Sequence, residues 1–313
     1  MTFSFANLAD ALKSGAPISP EDVLAARRWA WSDGGISPPE AETIFELNKL
    51  AREPSAEWID FFVEALNEYV VNGREPRGYI DEAKASWLMA QVDSDGRVDT
   101  LTELELLVKV LEAALNAPAT LKAYALRQIE QVVLSGEGPT RRGGSIRPGV
   151  IDEAEVALLR RLIFAAGGDG ALIVSRDEAE LLWRLKDATV GGANADGWQT
   201  LFVQAVGNHL MAYSSYRPLE HDEAARLEAF VADTGSSFGR FLGRMVRSDP
   251  VEAVRGLVQG GAPRVDHEDE AAKAEEVSSA ESNWVRGHVQ ADGKVDPLEE
   301  ALLDFIERER GRF

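Results

Sequence analysis

The amino-acid sequence predicts an all-α fold made of tandem three-helix repeats, and three observations support this prediction. Apolar residues recur at steps of three and four along almost every segment, which is the period of an amphipathic helix. The alternation typical of strands is scarce, and the closest candidate, residues 171–174, is very short. Similar segments also recur about every 60–70 residues, which is typical of a repeat architecture.

Each predicted repeat consists of three consecutive helical patterns. The first pattern opens with Ile-Asp-Glu-Ala at residues 80–83 and again at 151–154, and it ends in an Asp-Gly turn. A second and a third helical pattern follow each turn. The predicted triplets cover residues 18–72, 79–135 and 150–212, and a further helix–turn–helix covers residues 284–307.

Two stretches interrupt this order and predict the domain boundaries. Residues 140–149 are rich in glycine, arginine and proline, which favours a flexible connection. Residues 219–280 break the period of the repeats and include an acidic run. We therefore expect the first two repeats in residues 1–140, the third in 150–218, and a divergent helical insertion with the C-terminal helix–turn–helix in 219–313.

The composition excludes several classes of function. The chain has 313 residues, with 53 acidic and 33 basic side chains and no cysteine. The lack of cysteine excludes disulfides, thiolate zinc sites and a cysteine nucleophile. A net charge of −20 argues against nucleic-acid and anionic-membrane partners, because both need a basic surface. We expect no membrane span and no secretory signal peptide, and therefore a cytoplasmic location.

Asp-Gly turns separate the first and second helices of the repeats. Three of them fit Asp-Gly-x-(Ile/Val)-(Ser/Asp), a spacing similar to the second half of a calcium-binding helix–loop–helix. In such a loop an oxygen ligand precedes the glycine and a bidentate glutamate follows it by six residues. Glutamate stands at that place after Gly34 and Gly293, and one position later after Gly96. The candidate ligands for calcium or another divalent cation are Asp33, Glu40, Asp93, Asp95, Asp99, Glu103, Asp292, Asp296 and Glu299.

The second of these turns is the favoured cation site, because Asp93, Asp95 and Asp99 give it the largest set of carboxylates. A cation-free interpretation explains the same pattern. The glycine ends one helix in a left-handed conformation, and the Ser or Asp and the Glu form a capping box at the start of the next. Such a box stabilises a helix by about 1 kcal/mol with or without a metal. Capping boxes are predicted for Ser37 with Glu40, Ser175 with Glu178, and Asp296 with Glu299.

Two of the turns resemble a known family. Residues 291–300 and 32–41 are similar to the Ala-Asp-Gly-x-Val-x-x-x-Glu signature of the tellurite-resistance TerB-like helical domains. The resemblance implies small all-α units and a non-catalytic accessory module linked to metals or to stress. Residues 92–99, taken alone, are more similar to a degenerate EF-hand.

The tryptophans predict both core and surface positions. Trp58 and Trp198 stand at equivalent places in two repeats, and so do Trp87 and Trp284, which favours packing of both pairs in the core. Trp29 and Trp31 are two positions apart, so on a helix they point about 200° from each other. Both cannot be buried on one stripe, and one of them is therefore a candidate contact for a partner.

Together these features predict a non-enzymatic module for protein interaction or sensing. We expect the grooves between units to bind a protein partner, with a divalent cation at Asp93, Asp95, Asp99 and Glu103 tuning the binding. Two alternatives stay open. One is a metal-dependent enzyme of an unfamiliar helical class, which would use carboxylates that converge from different units. The other is a purely structural repeat protein.

Overall fold

The secondary structure of the chain is helical. The computed structural model describes residues 5–32, 34–93, 96–141, 147–165, 173–214, 283–289 and 293–310. Among these residues no β-strand occurs, and the bridges that are present, Tyr79 with Asn116 and Asp93 with Val98, are isolated. The predicted all-α fold is therefore confirmed.

The principal helices are numbered in chain order. They are α1 (Phe5–Lys13), α2 (Pro20–Ala30), α3 (Pro38–Leu50), α4 (Ala56–Asn67), α5 (Glu82–Val92), α6 (Leu101–Ala113), α7 (Ala119–Ser135), α8 (Glu153–Ile163), α9 (Arg176–Thr189), α10 (Gly197–Ser214) and α11 (Pro297–Arg310). Helix α4 runs directly into a π-helical segment, Glu68–Asn72. A short 3-10 helix, Pro139–Arg141, precedes α8, and residues 283–289 are also helical.

The chain divides into two compact units. The first comprises residues 1–209 and 294–313, and the second comprises residues 210–293. Of the second unit the structure describes residues 210–214, 283–289 and 293. Apart from Gly293 and Trp284, the features discussed below belong to the first unit.

The first unit contains helices from all three predicted regions, and the predicted domain division itself stays a prediction. Helices α7 and α8, which flank the predicted break at residues 140–149, pack against each other in this unit. Helix α11 also belongs to it, although the sequence assigned that helix to a separate C-terminal region. Buried ion pairs lie within this unit: Arg141 pairs with Glu155 of α8, and Lys186 of α9 pairs with Glu299 of α11.

Helix lengths recur in groups of three. Helices α2, α5 and α8 have 11 residues each, and α3, α6 and α9 have 13, 13 and 14. At the third place, α7 has 17 residues and α10 has 18, while α4 has 12 and continues into 5 residues of π-helix. These lengths agree with the predicted triplets. The tandem repeat itself stays a prediction, because equal lengths do not establish equal packing.

Helix starts follow from the local sequence. In several helices the residue just before the first turn is an N-cap. Its side chain accepts a hydrogen bond from the backbone N–H three residues later, and each such cap stabilises the protein by about 1 kcal/mol. These caps are Ser19, Ser55, Asp81, Thr100, Asp152 and Ser175. The predicted capping boxes are confirmed: Glu40 accepts from Ser37, Glu178 from Ser175, and Glu299 from the backbone N–H of Asp296.

The Asp-Gly turns have the predicted backbone conformation. Gly34, Gly96 and Gly293 have φ angles of 96°, 91° and 71°, in the left-handed region that favours glycine. A Cβ atom at any of the three would meet no other atom within 4 Å. Glycine is therefore required here by the backbone conformation and not by a close approach of neighbouring atoms.

The core of the first unit contains one of the two tryptophan pairs that the repeat pattern predicts to be buried. Trp58 and Trp198 are 0% and 1% exposed, which confirms their predicted positions, whereas Trp87 and Trp284 are only half-buried. Trp58 Nε1 donates a hydrogen bond to Asn48 Oδ1 at 3.1 Å, so its polar atom is satisfied in the core. Around this core α4 packs against α2, α3 and α6, and α6 packs against α8. Helices from three predicted repeats thus come together.

Candidate functional site

A cleft of about 480 Å³ opens among α4, α6, α8 and the end of α2. It lies between helices of three predicted repeats, as expected for an inter-unit groove. Its lining combines apolar, acidic and basic side chains. They are Trp31, Ile59, Asp60, Val63, Glu64, Asn67, Glu68, Glu105, Lys109 and Arg161.

An apolar row runs along the cleft side of α4. Ile59 and Val63 are four residues apart, so they lie on one face of the helix, and both are only half-buried. Trp31 adds a half-buried indole ring, which meets the ring of Phe61 edge-on at a centroid distance of 6.2 Å. The cleft therefore offers partly exposed apolar surface to a ligand.

The two neighbouring tryptophans take different positions, as their spacing predicts. The ring of Trp29 packs against Phe5 of α1, with 4.0 Å between the ring centroids. Trp31 instead lines the cleft. Trp31 is therefore the tryptophan placed for contact with a partner, and that contact stays a prediction.

A second row of side chains, on α4 and at the start of the π-helical segment, is acidic. Asp60, Glu64 and Glu68 follow one another at four-residue steps, beside the apolar row. Glu64 forms an ion pair with Arg27, and Glu68 accepts a hydrogen bond from Asn72 Nδ2 at 2.7 Å. The first two of these carboxylates are exposed and the third is half-buried, so the row remains accessible to solvent.

Arg161 organises the side of the cleft formed by α6 and α8. Its guanidinium binds Glu112 at 2.7 and 3.0 Å and Glu105 at 2.8 and 2.7 Å. Burial opposes the charge of Arg161, but the hydrogen bonds to Glu112 and Glu105 outweigh this effect and raise its pKa. Because two carboxylates share one guanidinium, the cluster keeps a net negative charge.

The π-helical segment shapes the far end of the cleft. The carbonyl of Tyr69 in this segment accepts a hydrogen bond from Lys84 Nζ at 2.9 Å, and burial lowers the pKa of Lys84. A Cβ atom at Gly73 would collide with the same carbonyl, so the segment ends at a glycine. Asn67, at the junction, has a buried Oδ1 without a hydrogen-bond partner, which costs about 1–3 kcal/mol. Such π-helical turns are frequent at functional sites.

In the favoured Asp-Gly turn, the carboxylate of Asp93 binds groups of the chain itself. Its Oδ1 accepts a hydrogen bond from the backbone N–H of Gly96, and its Oδ2 accepts one from the Tyr124 hydroxyl at 3.1 Å. Burial, together with the charge of Asp93, raises the pKa of Tyr124. Asp93 thus closes the turn and anchors it to α7.

Glu103 is the buried member of the same candidate site. It is 4% exposed, and its Oε2 accepts from the backbone N–H and the hydroxyl of Thr100 at 3.2 and 2.8 Å. Burial raises the pKa of Glu103, and the nearby charge of Asp99 acts in the same direction. Asp99 itself is exposed. Asp93 thus makes hydrogen bonds that close the turn, and Glu103 makes the capping hydrogen bonds of α6.

In the last Asp-Gly turn a lysine lies between two of the candidate ligands. The ammonium of Lys186 from α9 lies 2.6 Å from Asp296 Oδ2 and 2.6 Å from Glu299 Oε1. It also lies 2.8 Å from Asp187. Burial opposes the charge of Lys186, but the hydrogen bonds to these three carboxylates raise its pKa. The side chain of Lys186 thus supplies positive charge to this turn.

Three predicted cation ligands, Asp33, Asp95 and Asp292, lie outside the described residues. In the first turn, Glu40 Oε2 accepts from the backbone N–H and the hydroxyl of Ser37 at 2.8 and 2.7 Å. Within the described ranges, no group of three or more His, Asp or Glu side chains is arranged to hold a metal ion. Binding of a divalent cation stays a prediction.

Two further buried basic side chains pair with glutamates that cap other helices. These ion pairs are not predicted by the sequence patterns. Lys122 Nζ of α7 lies 2.5 Å from Glu178 Oε1 of α9 and donates to the carbonyl of Ile163 at 3.0 Å. Arg141 binds Glu155 through Nε and Nη2 at 2.7 and 2.8 Å. The first of these ion pairs connects helices of two predicted repeats, and the second connects the predicted linker at residues 140–149 to α8.

Comparisons with known proteins give no match. No family model matches the chain, and no curated protein or solved structure matches it. The resemblance of the Asp-Gly turns to TerB-like domains therefore stays a prediction. In the part of the chain that the structure describes, no helix is both long and apolar enough to cross a membrane.

Proposed function

We propose that this protein is a non-catalytic helical module that binds a protein partner in the cleft among α2, α4, α6 and α8. The observation that carries the proposal is the half-buried Trp31 beside the partly exposed Ile59 and Val63. Tryptophan is enriched among the residues that contribute most to protein interfaces. We propose the cytoplasm as the place where this binding occurs.

Three of the charged side chains that line the cleft, Glu64, Glu105 and Arg161, are held in ion pairs, which favours binding over catalysis. Arg161 is held by Glu105 and Glu112, and Glu64 is paired with Arg27. A catalytic acid or base needs direct access to a substrate atom. Paired charges instead give a surface a fixed shape and electrostatic potential, which is what partner recognition requires.

Replacing Trp31 with alanine is expected to weaken the binding of the partner at least tenfold. Truncation of an interface tryptophan typically costs about 2 kcal/mol or more, because its partner pocket loses a large apolar contact. The measurement is affinity capture with the full chain, followed by titration of each captured protein against wild type and Trp31→Ala.

Leu134→Ala is the matched control, because Leu134 is also an exposed apolar residue, at 50%, but lies on α7 outside the cleft. Circular dichroism should show that both variants remain folded. Captured proteins that bind Trp31→Ala as tightly as wild type would contradict the proposal, as would an equal loss for Leu134→Ala.

We also propose that a divalent cation at Asp93, Asp95, Asp99 and Glu103 tunes this binding. The turn at Gly96 supports the proposal, because it holds Asp93 and Asp99 on the same short loop before α6. Calcium should raise the melting temperature of metal-stripped protein, and Asp95→Asn/Asp99→Asn should abolish the rise. Calorimetric titration with calcium, magnesium and manganese measures the binding. If wild type at millimolar cation shows no heat of binding and no rise in melting temperature, the cation proposal is wrong. The proposal that a protein partner binds in the cleft does not depend on this result.

A further inference from the structure

We infer that the bound element of the partner is a basic amphipathic helix that lies along α4. This inference rests on the proposed function and gives the chemistry of its partner. It is supported by the pattern of side chains on α4, by the charge of the cleft and by the backbone of the surrounding helices.

The side chains of α4 form two parallel rows. The apolar row is Ile59 and Val63, followed by the polar Asn67, while the acidic row is Asp60, Glu64 and Glu68, the last at the start of the π-helical segment. Members of each row are four residues apart, so the apolar row covers about 6 Å along the helix axis and the acidic row about 12 Å. A partner that fits both rows must carry an apolar row beside a basic row with the same spacing. An amphipathic helix has this pattern at positions i, i+4 and i+8.

The charge of the cleft selects a basic partner. Its lining has four carboxylates, Asp60, Glu64, Glu68 and Glu105, and two basic groups, Lys109 and Arg161. Arg161 is already shared by Glu105 and Glu112, and of the acidic row Glu64 is paired with Arg27, so Asp60 and Glu68 keep the row negative. The whole chain has a net charge of −20. Such a field attracts a basic segment and accelerates its association, and it repels an acidic one.

The backbone of the surrounding helices favours a helix over an extended strand. An extended segment binds well where it can add to the free edge of a sheet, because its N–H and C=O groups need partners. The cleft is lined by helices, whose backbone groups are already bonded within α4, α6 and α8. A helical partner satisfies its own backbone groups and presents only side chains to the cleft.

Trp31 provides an anchor at the edge of the cleft. Its half-buried ring can contact an apolar side chain of the partner or the aliphatic stem of a lysine. The face of an indole also attracts a cation at short distance. We therefore expect Trp31 to contact the partner helix where its apolar face meets its basic face.

The test uses synthetic peptides of about 18 residues, or five helical turns, with lysines at four-residue steps beside a row of leucines. One reference peptide has the same composition in scrambled order, and another has glutamate in place of each lysine. Fluorescence anisotropy of labelled peptide measures binding to the full chain at low and at physiological salt. The patterned basic peptide should bind at least tenfold more tightly than either reference, and more weakly as salt rises.

Charge reversal on α4 locates the binding. Asp60→Lys/Glu64→Lys should weaken the patterned basic peptide at least tenfold and strengthen the glutamate peptide. The matched control is Glu300→Lys/Asp304→Lys, which has the same charge change at the same spacing on exposed positions of α11. This control should change the affinity less than threefold.

Three results would overturn the inference: equal binding of the scrambled peptide, equal binding of the glutamate peptide, or an equal loss in the two double variants. Failure of the inference can be distinguished from failure of the proposed function. A partner whose binding depends on Trp31, together with no binding of the basic peptide, overturns the partner chemistry alone. Captured partners that bind Trp31→Ala as tightly as wild type overturn the proposed function as well.

Discussion

Replacing Arg141 with methionine is expected to lower the free energy of unfolding by about 3–5 kcal/mol. Arg141 and Glu155 have side-chain exposures of 2% and 0%, and the guanidinium also donates to the carbonyl of Val150 at 2.6 Å. Methionine retains much of the apolar volume, but it leaves the carboxylate of Glu155 in the core without its charged partner. Urea denaturation at neutral pH measures the loss.

Arg184→Met is the matched control for this variant. Arg184 bonds Glu130 at the same distance of 2.7 Å, but its side chain is 55% exposed, so water can replace the lost contact. The expected loss is about 0–1 kcal/mol. Arg141→Met/Glu155→Gln should recover part of the stability, because it removes the unpaired charge together with its partner. Equal losses for Arg141→Met and Arg184→Met would contradict a buried ion pair.

Local features of the fold could be predicted from the sequence because each depends on a few neighbouring residues. Ser175 and Glu178 are three positions apart, which is the spacing that a capping box needs. Gly96 follows an aspartate at the end of a helical pattern, where a left-handed residue is required. Neither feature depends on where other helices lie, so sequence spacing was sufficient.

The buried ion pairs could not be predicted, because their partners are far apart in the sequence and both residue types usually lie at the surface. Lys122 had a weak signal, since it shares an apolar stripe of α7 with Leu126 and Ile129. A lysine on such a stripe indicates a buried ammonium that needs a carboxylate. It does not identify Glu178 as the partner, because that choice depends on how α7 packs against α9.

The cleft could be predicted in part. The spacing of Trp29 and Trp31 required that they point in different directions, and the structure places Trp31 in the cleft. The choice between them depends on Phe5 of α1, which packs against Trp29. The acidic and apolar rows on α4 can be read from the sequence, but their accessibility depends on the separation between α4 and its neighbours. Sequence patterns do not determine such separations.

Replacing Lys186 with methionine is expected to lower the free energy of unfolding by about 3–5 kcal/mol and to loosen α11 before the rest of the first unit. Lys186 and Glu299 have side-chain exposures of 3% and 2%, so Asp296 and Glu299 would lose their common counter-charge inside the protein. Because the pKa of Lys186 is raised in the folded state, its stabilisation is fully present below the unfolded-state value of about 10.4. It is lost as the pH rises through the folded-state pKa.

Hydrogen exchange at neutral pH measures the loosening of α11, with the amides of α4 as an internal reference. Lys49→Met is the matched control, because Lys49 is 44% exposed and lies 3.8 Å from Glu46, so its expected loss is about 0–1 kcal/mol. Calcium should raise the melting temperature of Lys186→Met no more than that of wild type, because Asp296 Oδ1 and Glu299 Oε2 keep their hydrogen bonds to backbone N–H groups. A larger calcium-dependent rise in this variant than in wild type would instead indicate a cation site that the lysine fills. Unchanged exchange in α11 would show that Lys186 does not hold the helix.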